Sequence, residues 1–169
     1  MPNHPSSEFA IRTFRPADAP ACRKLYADGL IGGSLMPNDT GLDMDDIQGV
    51  YMQTPGSCFW VAHLPAGPIV GMIGVQHHES DSAEIRRLRV SREYRRRGIG
   101  SALTEQALRF CQENQYLKVT LDTYMERETA IALFAKYHYK LQRDREIGDR
   151  RWLYFYADLY SREPRPKKQ

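Results

Sequence analysis

Cysteine is scarce in this chain of 169 residues: Cys22, Cys58 and Cys111 are three in number and far apart. No two have the spacing of a metal or redox pair, so they read as free thiols in a reducing compartment. Long apolar runs are missing as well, which leaves no candidate for a membrane span. Residues Met1 to Glu8 are polar, include Pro2 and Pro5, and lack the apolar stretch of a signal peptide. These absences predict a cytoplasmic protein with no membrane partner. No internal repeat or low-complexity block is present. Nor does charge of one sign dominate: the formal net charge is +3. Composition therefore makes no case for nucleic acid as a partner.

What is present suits one compact domain. The chain is 41% hydrophobic and 27% charged, a balance that buries a core without staples. Residues 1–7 and the basic tail 161–169 are polar and hold prolines, so both are expected to be disordered around a domain spanning 8–160. The pattern predicts a strand at Phe9–Phe14 and a helix capped by Asp18 that runs to Asp28. A loop follows at Gly29–Thr40, then a second helix over Leu42–Met52. Strands at Ser57–Leu64 and Ile69–Gln76 read as a hairpin, and Ala83–Val90 as the next strand. Gly98–Asn114 is an amphipathic helix with Ile99, Ala102, Leu103, Ala107, Phe110 and Cys111 on one stripe. Leu117–Asp122, a helix over Glu128–Tyr137, and strands Lys140–Ile147 and Arg151–Leu159 close the chain. The order β-α-α-β-β-β-α-β-α-β-β predicts an α/β fold: a mixed, mostly antiparallel central sheet with helices on both faces.

One region concentrates chemistry. Seven arginines, at 86, 87, 89, 92, 95, 96 and 97, fall within twelve positions, a cluster that asks for an anionic ligand. The run Arg95-Arg96-Arg97-Gly98-Ile99-Gly100-Ser101 sits between a strand and a helix. A helix start has four backbone N–H groups without internal partners and a partial positive charge. Gly98 and Gly100 let a diphosphate approach that backbone, the arginines add charge-assisted hydrogen bonds, and Ser101 offers a hydroxyl. No Gly-Lys-Ser/Thr is present, so this is no P-loop. A third glycine is missing, so it is no dinucleotide fingerprint either.

The stretch Ala83–Asp122 resembles the central motif of the GCN5-related N-acetyltransferase (GNAT) superfamily, whose Gln/Arg-x-x-Gly-x-Gly/Ala turn is matched by Arg95–Gly100. The opening Ile11–Asp18 is similar to a common start in that family. Leu121-Asp122-Thr123 with Ala130–Phe134 resembles its next motif in the camello-like (NAT8-related) form. The resemblance implies a GNAT-like fold and acetyl-CoA as co-substrate, with no metal. It implies acetyl transfer by direct attack of a primary amine, from a small molecule or a peptide, on a monomer or homodimer. It also implies that the backbone at Leu88 and Val90 pairs with the pantetheine arm, and that an amide there polarises the thioester carbonyl.

The amine must lose a proton to a carboxylate or through water. In the histone-acetylating branch a glutamate at the position of Glu84 acts as general base. Strand parity puts Glu84 on the face of Leu88 and Val90 unless a bulge intervenes. The plainer alternative is a solvated Glu84 paired with Arg86 or Arg87. The family's usual acid is a tyrosine where this chain has Phe134, and its usual Gly-Phe is His138-Tyr139 here. Tyr137, one helical turn after Phe134, is the candidate substitute. These departures leave room for an acyl-CoA-binding sensor without catalysis. His77-His78 with Glu79 and Asp81 is not expected to hold a metal, because neighbours on a strand face opposite ways. On the acceptor side, Asp39, Asp43, Asp45 and Asp46 are read as an acidic rim or as helix-capping residues. Trp60, Trp152, Tyr154 and Tyr156 are read as an aromatic wall or as core.

Overall fold

The computed structural model describes residues 8–30, 33, 35, 38–124 and 127–159. The expected disordered ends, 1–7 and 161–169, lie outside the described residues. Seven strands form one sheet in the order β1-β2-β3-β4-β5-β7-β6. They are β1 (Ala10–Thr13), β2 (Cys58–His63), β3 (Ile69–Glu79), β4 (Ser82–Val90), β5 (Lys118–Tyr124), β6 (Lys140–Ile147) and β7 (Arg150–Asp158). Among the described residues only β4 and β5 pair in parallel. The α-helices α1 (Ala19–Asp28), α2 (Ile99–Glu113) and α3 (Glu128–Lys136) cover its faces. The expected fold class holds, and so does the element order except at its second helix.

Alternation along the strands builds a core on each face. On one side Trp60, Ala62, Ile73, Val75, Ala83 and Ile85 meet α2 and α3. On the other Phe59, Val61 and Met72 meet α1. Two glycines of β3 let the layers close. A Cβ on Gly71 would stand 3.0 Å from Ile99 and Leu103 of α2, and one on Gly74 would stand 2.8 Å from the Tyr51 ring.

Two expectations need correction. Leu42–Met52 is not an α-helix: a 3₁₀ turn over Leu42–Asp45 is followed by a π-helical turn over Gln48–Met52. Gly41, at φ +69°, starts the first turn, and the wider second turn lets Tyr51 reach the core, where it is fully buried. Asp18 does not cap α1 with its side chain. Its carboxylate instead accepts from the Arg15 N–H at 2.8 Å and from Arg12 at 2.7 and 2.8 Å.

Candidate active site

The cleft exists because β4 and β5 part company. Their parallel register covers only Ser82–Glu84 against Lys118–Thr120. Beyond it the strands splay around a cavity of about 920 Å³. Lining residues come from β4, β5, the α2 start, the α3 start and the segment after α1. The edge of β4 facing this cleft is unpaired by any strand. Ser91 N–H bonds to the Val70 carbonyl at 2.8 Å. Antiparallel alternation then turns the N–H and C=O of Val90, and the C=O of Leu88, away from β3 and into the cleft. Both carbonyls are met by guanidinium groups, Leu88 by Arg89 at 2.9 Å and Val90 by Arg95 at 3.3 Å.

The α2 end of the cleft is a backbone cradle. Gly98 is the N-cap at φ +82°, a left-handed conformation that favours glycine. The first intrahelical bond there is Ala102 N–H to the Gly98 carbonyl, so the amides of Gly98, Ile99, Gly100 and Ser101 have no intrahelical partner. Arg95, Arg96, Gly98, Ile99, Gly100 and Ser101 line the cleft, with Leu88 and Val90. Arg97 turns elsewhere: it pairs with Glu8 at 3.3 Å and stacks on Tyr94. Any part it has in the cradle is through its backbone.

A bulge in β4 changes the parity argument. Met72 faces Arg89 and Gly74 faces Arg86, so Ile73 alone opposes Arg87 and Leu88. Arg87 takes φ +61° to make room. Ala83 and Ile85 face the α2 core before the bulge, and Leu88 and Val90 pack against it after. Glu84 therefore does not share a face with Leu88 and Val90. It faces the α1 side with Arg86, whose Nε lies 3.8 Å away.

Asp122 is the residue that sequence reasoning passed over as part of a motif. It lines the same cleft. Burial first, then the charge of Glu84, pushes its carboxyl up to about 6, against the pull of Arg86. The Trp152 indole N–H has no partner at hydrogen-bond geometry, yet it lies near enough to act weakly on the Asp122 charge. Its ring packs on Tyr124 at 4.1 Å. The Tyr124 hydroxyl bonds to Asn38 at 2.8 Å, tying β5 to the segment that follows α1.

Tyr137 is buried, and its hydroxyl is directed at α2. It donates to Glu105 at 2.8 Å, with the Ser101 carbonyl at 3.3 Å. Tyr137 is not among the residues lining the cleft; Phe134 is. His138 takes φ +65°, the left-handed C′ position that glycine usually fills. Tyr139 follows it into the core and packs on Phe134 at 5.7 Å. His138-Tyr139 thus does the structural work of the family's Gly-Phe.

The seven arginines do not form one patch. Arg87 is buried between Asp39 and Asp43, with its guanidinium 4.8 Å from the Tyr26 ring centroid. Burial would raise both carboxyls, but the hydrogen bonds and charge of Arg87 outweigh it and hold them below the usual range. The reading of Asp39 and Asp43 as an open acidic rim or as helix caps is thereby corrected. Asp46 does cap, accepting from Gly49 N–H at 2.9 Å. Of the four aromatics, only Trp152 reaches the cleft; Trp60 is core beside Phe110. Tyr116 gives its one hydroxyl proton to the Gly56 carbonyl at 2.6 Å, so His77 Nδ1–H must be the donor in the 3.0 Å contact with that hydroxyl. Among the described residues no group of three or more His, Cys, Asp or Glu is arranged to hold a metal. No described helix is long and apolar enough to cross a membrane.

Residues 32–139 match the model of the Acetyltransferase (GNAT) family, and the chain belongs to that family. It is 39% identical over 99 residues to N-acetylaspartate synthetase of Xenopus tropicalis, covering 58% of this chain and 36% of that protein. It is 36% identical over 103 residues to human N-acetyltransferase 8, covering 58% and 45%. The chain thus spans less than half the length of each of these relatives. Among solved structures, a GNAT-family acetyltransferase from Staphylococcus aureus superposes with TM-score 0.76 at 17% identity, over 89% of this chain and 99% of that one. The yncA protein of Salmonella typhimurium, solved with its cofactor acetyl-CoA, does so with TM-score 0.77 at 15% identity, over 96% and 100%.

Proposed function

We propose that this protein transfers an acetyl group from acetyl-CoA to a primary amine by direct attack within the β4–β5 cleft. The observation that carries this reading is the splay itself. It leaves the Val90 amide, the Leu88 carbonyl and the amides of Gly98–Ser101 at one cavity without strand or helix partners. A pantetheine arm would add to β4 as a strand does, and the pyrophosphate would sit on the start of α2 beside Arg95 and Arg96. The likeness to a structure solved with acetyl-CoA supports that co-substrate. The N-acetylaspartate synthetases among the relatives make an amino-acid amine one acceptor to test. A free β4 amide would stabilise the oxyanion of the tetrahedral intermediate.

The proton balance falls to the carboxylates on the acceptor side. The ammonium gives up one proton before attack and the nitrogen a second after the C–N bond forms. One of these ends on the sulfur as the C–S bond breaks, and the other leaves to solvent. Glu84, with Asp122 beside it, is the proposed acceptor of the first. Tyr137 would protonate sulfur only by letting go of Glu105. A thiol with pKa of about 8.5 is a tolerable leaving group without an acid.

Thiol release from acetyl-CoA in the presence of an amine panel tests the reading. Amine-dependent release that drops in Glu84→Gln supports transfer. Acetyl-CoA binding with no release for any amine would point to a sensor instead.

A further inference from the structure

Arg89 is a deep cation with no counter-ion among the described residues, and it lines the cleft. It lies on β4 after the bulge, on the face that α1 covers. Gly29 at the end of α1 clears its path: a Cβ there would stand 2.6 Å from Arg89 Nε. One guanidinium N–H goes to the Leu88 carbonyl. The Nε–H is buried and has no partner among the described residues. Burial first, then the charges of Arg127 and Arg87, lower Arg89 to about 9, which leaves it charged at neutral pH. Arg127, at the start of α3, bonds the Gly29 carbonyl from the other side at 2.6 Å. It too lines the cleft. Burial and the charge of Arg95 lower its proton affinity.

Among the described residues no ion pair balances these two. Asp39 and Asp43 both spend their ion-pair contacts on Arg87. The carbonyl end of α1 offsets part of the charge, but burying a cation without a paired anion is unfavourable. The amide cradle and Arg96 serve the α2 side of the cleft. Arg89 faces the α1 side, the side of Glu84.

We propose that Arg89, with Arg127, forms a carboxylate subsite for the acyl acceptor, so that the acceptor is an amino acid rather than a polyamine or an aminoglycoside. This rests on the reading of the cleft as an acetyltransferase site. The carboxylate would take guanidinium N–H groups of Arg89 and Arg127, which both line the cleft, and its amine would project toward Glu84 and Asp122.

The test uses the full chain and acetyl-CoA with the twenty L-amino acids, the α-carboxamide of each one that reacts, spermidine and kanamycin. Amino acids are expected to be acetylated, with kcat/KM for the carboxamides lower by about 10- to 100-fold. Arg89→Gln should erase that difference by raising KM for the acid, while KM for acetyl-CoA stays within about twofold. Arg127→Gln gives a second readout should Arg89→Gln fail to fold, and the acid-to-carboxamide ratio needs no variant. Equal use of acid and carboxamide, or preference for spermidine or kanamycin, overturns the subsite and leaves the transferase reading standing. A raised KM for acetyl-CoA with acceptor preference intact assigns Arg89 to the cofactor and also overturns it. If no amine is acetylated, the transferase reading falls, and calorimetry with N-acetyl-L-aspartate plus CoA decides the subsite alone. Binding lost in Arg89→Gln supports it; no binding to the wild type overturns it.

Discussion

The two ends of the cleft handle charge in opposite ways. At the α2 end the cradle is backbone: amides at a helix start, shaped by the left-handed Gly98, with Arg95, Arg96 and Arg97 mostly at the surface. At the α1 end the charges are side chains held deep: Arg87 locked by two aspartates, Arg89 with its Nε–H buried, and Asp122 raised beside Glu84. A backbone cradle depends on the turn and hardly on the identity of its side chains. A side-chain cluster is rebuilt by a few substitutions. Cofactor binding therefore belongs to the fold, and acceptor choice to this chain.

Substitutions at each end should separate the two. Arg87→Met leaves Asp39 and Asp43 facing each other in a partly buried site, and should cost about 3–5 kcal/mol, read by chemical denaturation. Gly98→Ala meets no neighbour, so it acts through its positive φ alone. It should cost about 1–2 kcal/mol of stability and weaken acetyl-CoA binding while the acceptor preference stays unchanged, read by calorimetry and kinetics. Asp122→Asn tests the α1 end. A carboxyl raised from its ordinary value to about 6 binds its proton more tightly folded than unfolded. Stability from that group is thus full below its ordinary range and lost as pH rises toward about 6. The asparagine variant should gain about 1–3 kcal/mol above pH 7, and its pH–rate profile should lose the acidic limb near 6. His138→Gly lies outside both ends and should add about 1 kcal/mol by relieving a left-handed backbone, with turnover unchanged. Tyr137→Phe should change turnover least, by under about threefold, if its hydroxyl serves Glu105.

The cradle end was legible in the sequence because its signals are local. The Gly98-Ile99-Gly100 turn, the strand before it and the apolar stripe of α2 lie within one window. Leu88 and Val90 were placed by position alone. The α1 end was not legible, because a single extra residue reverses parity: the Arg87 bulge moves Glu84 to the face opposite Leu88. Arg89 looked like one more member of a surface cluster, since only tertiary packing against Gly29 buries it. Asp122 stood in a recognisable motif, but its carboxyl is raised first by burial and then by Glu84 on a strand 38 positions earlier in the chain. The misread helix over Leu42–Met52 has a similar cause. Its apolar spacing is real, yet Tyr51 needs the wider π turn to reach the core against Phe59.

Amide hydrogen exchange on addition of acetyl-CoA tests the cofactor site most directly. The expected result is new protection at Val90 and at Gly98–Ser101, with strand amides paired to β3 unchanged. Protection confined to other parts of the sheet, or none at saturating acetyl-CoA, would contradict the assignment of the cleft.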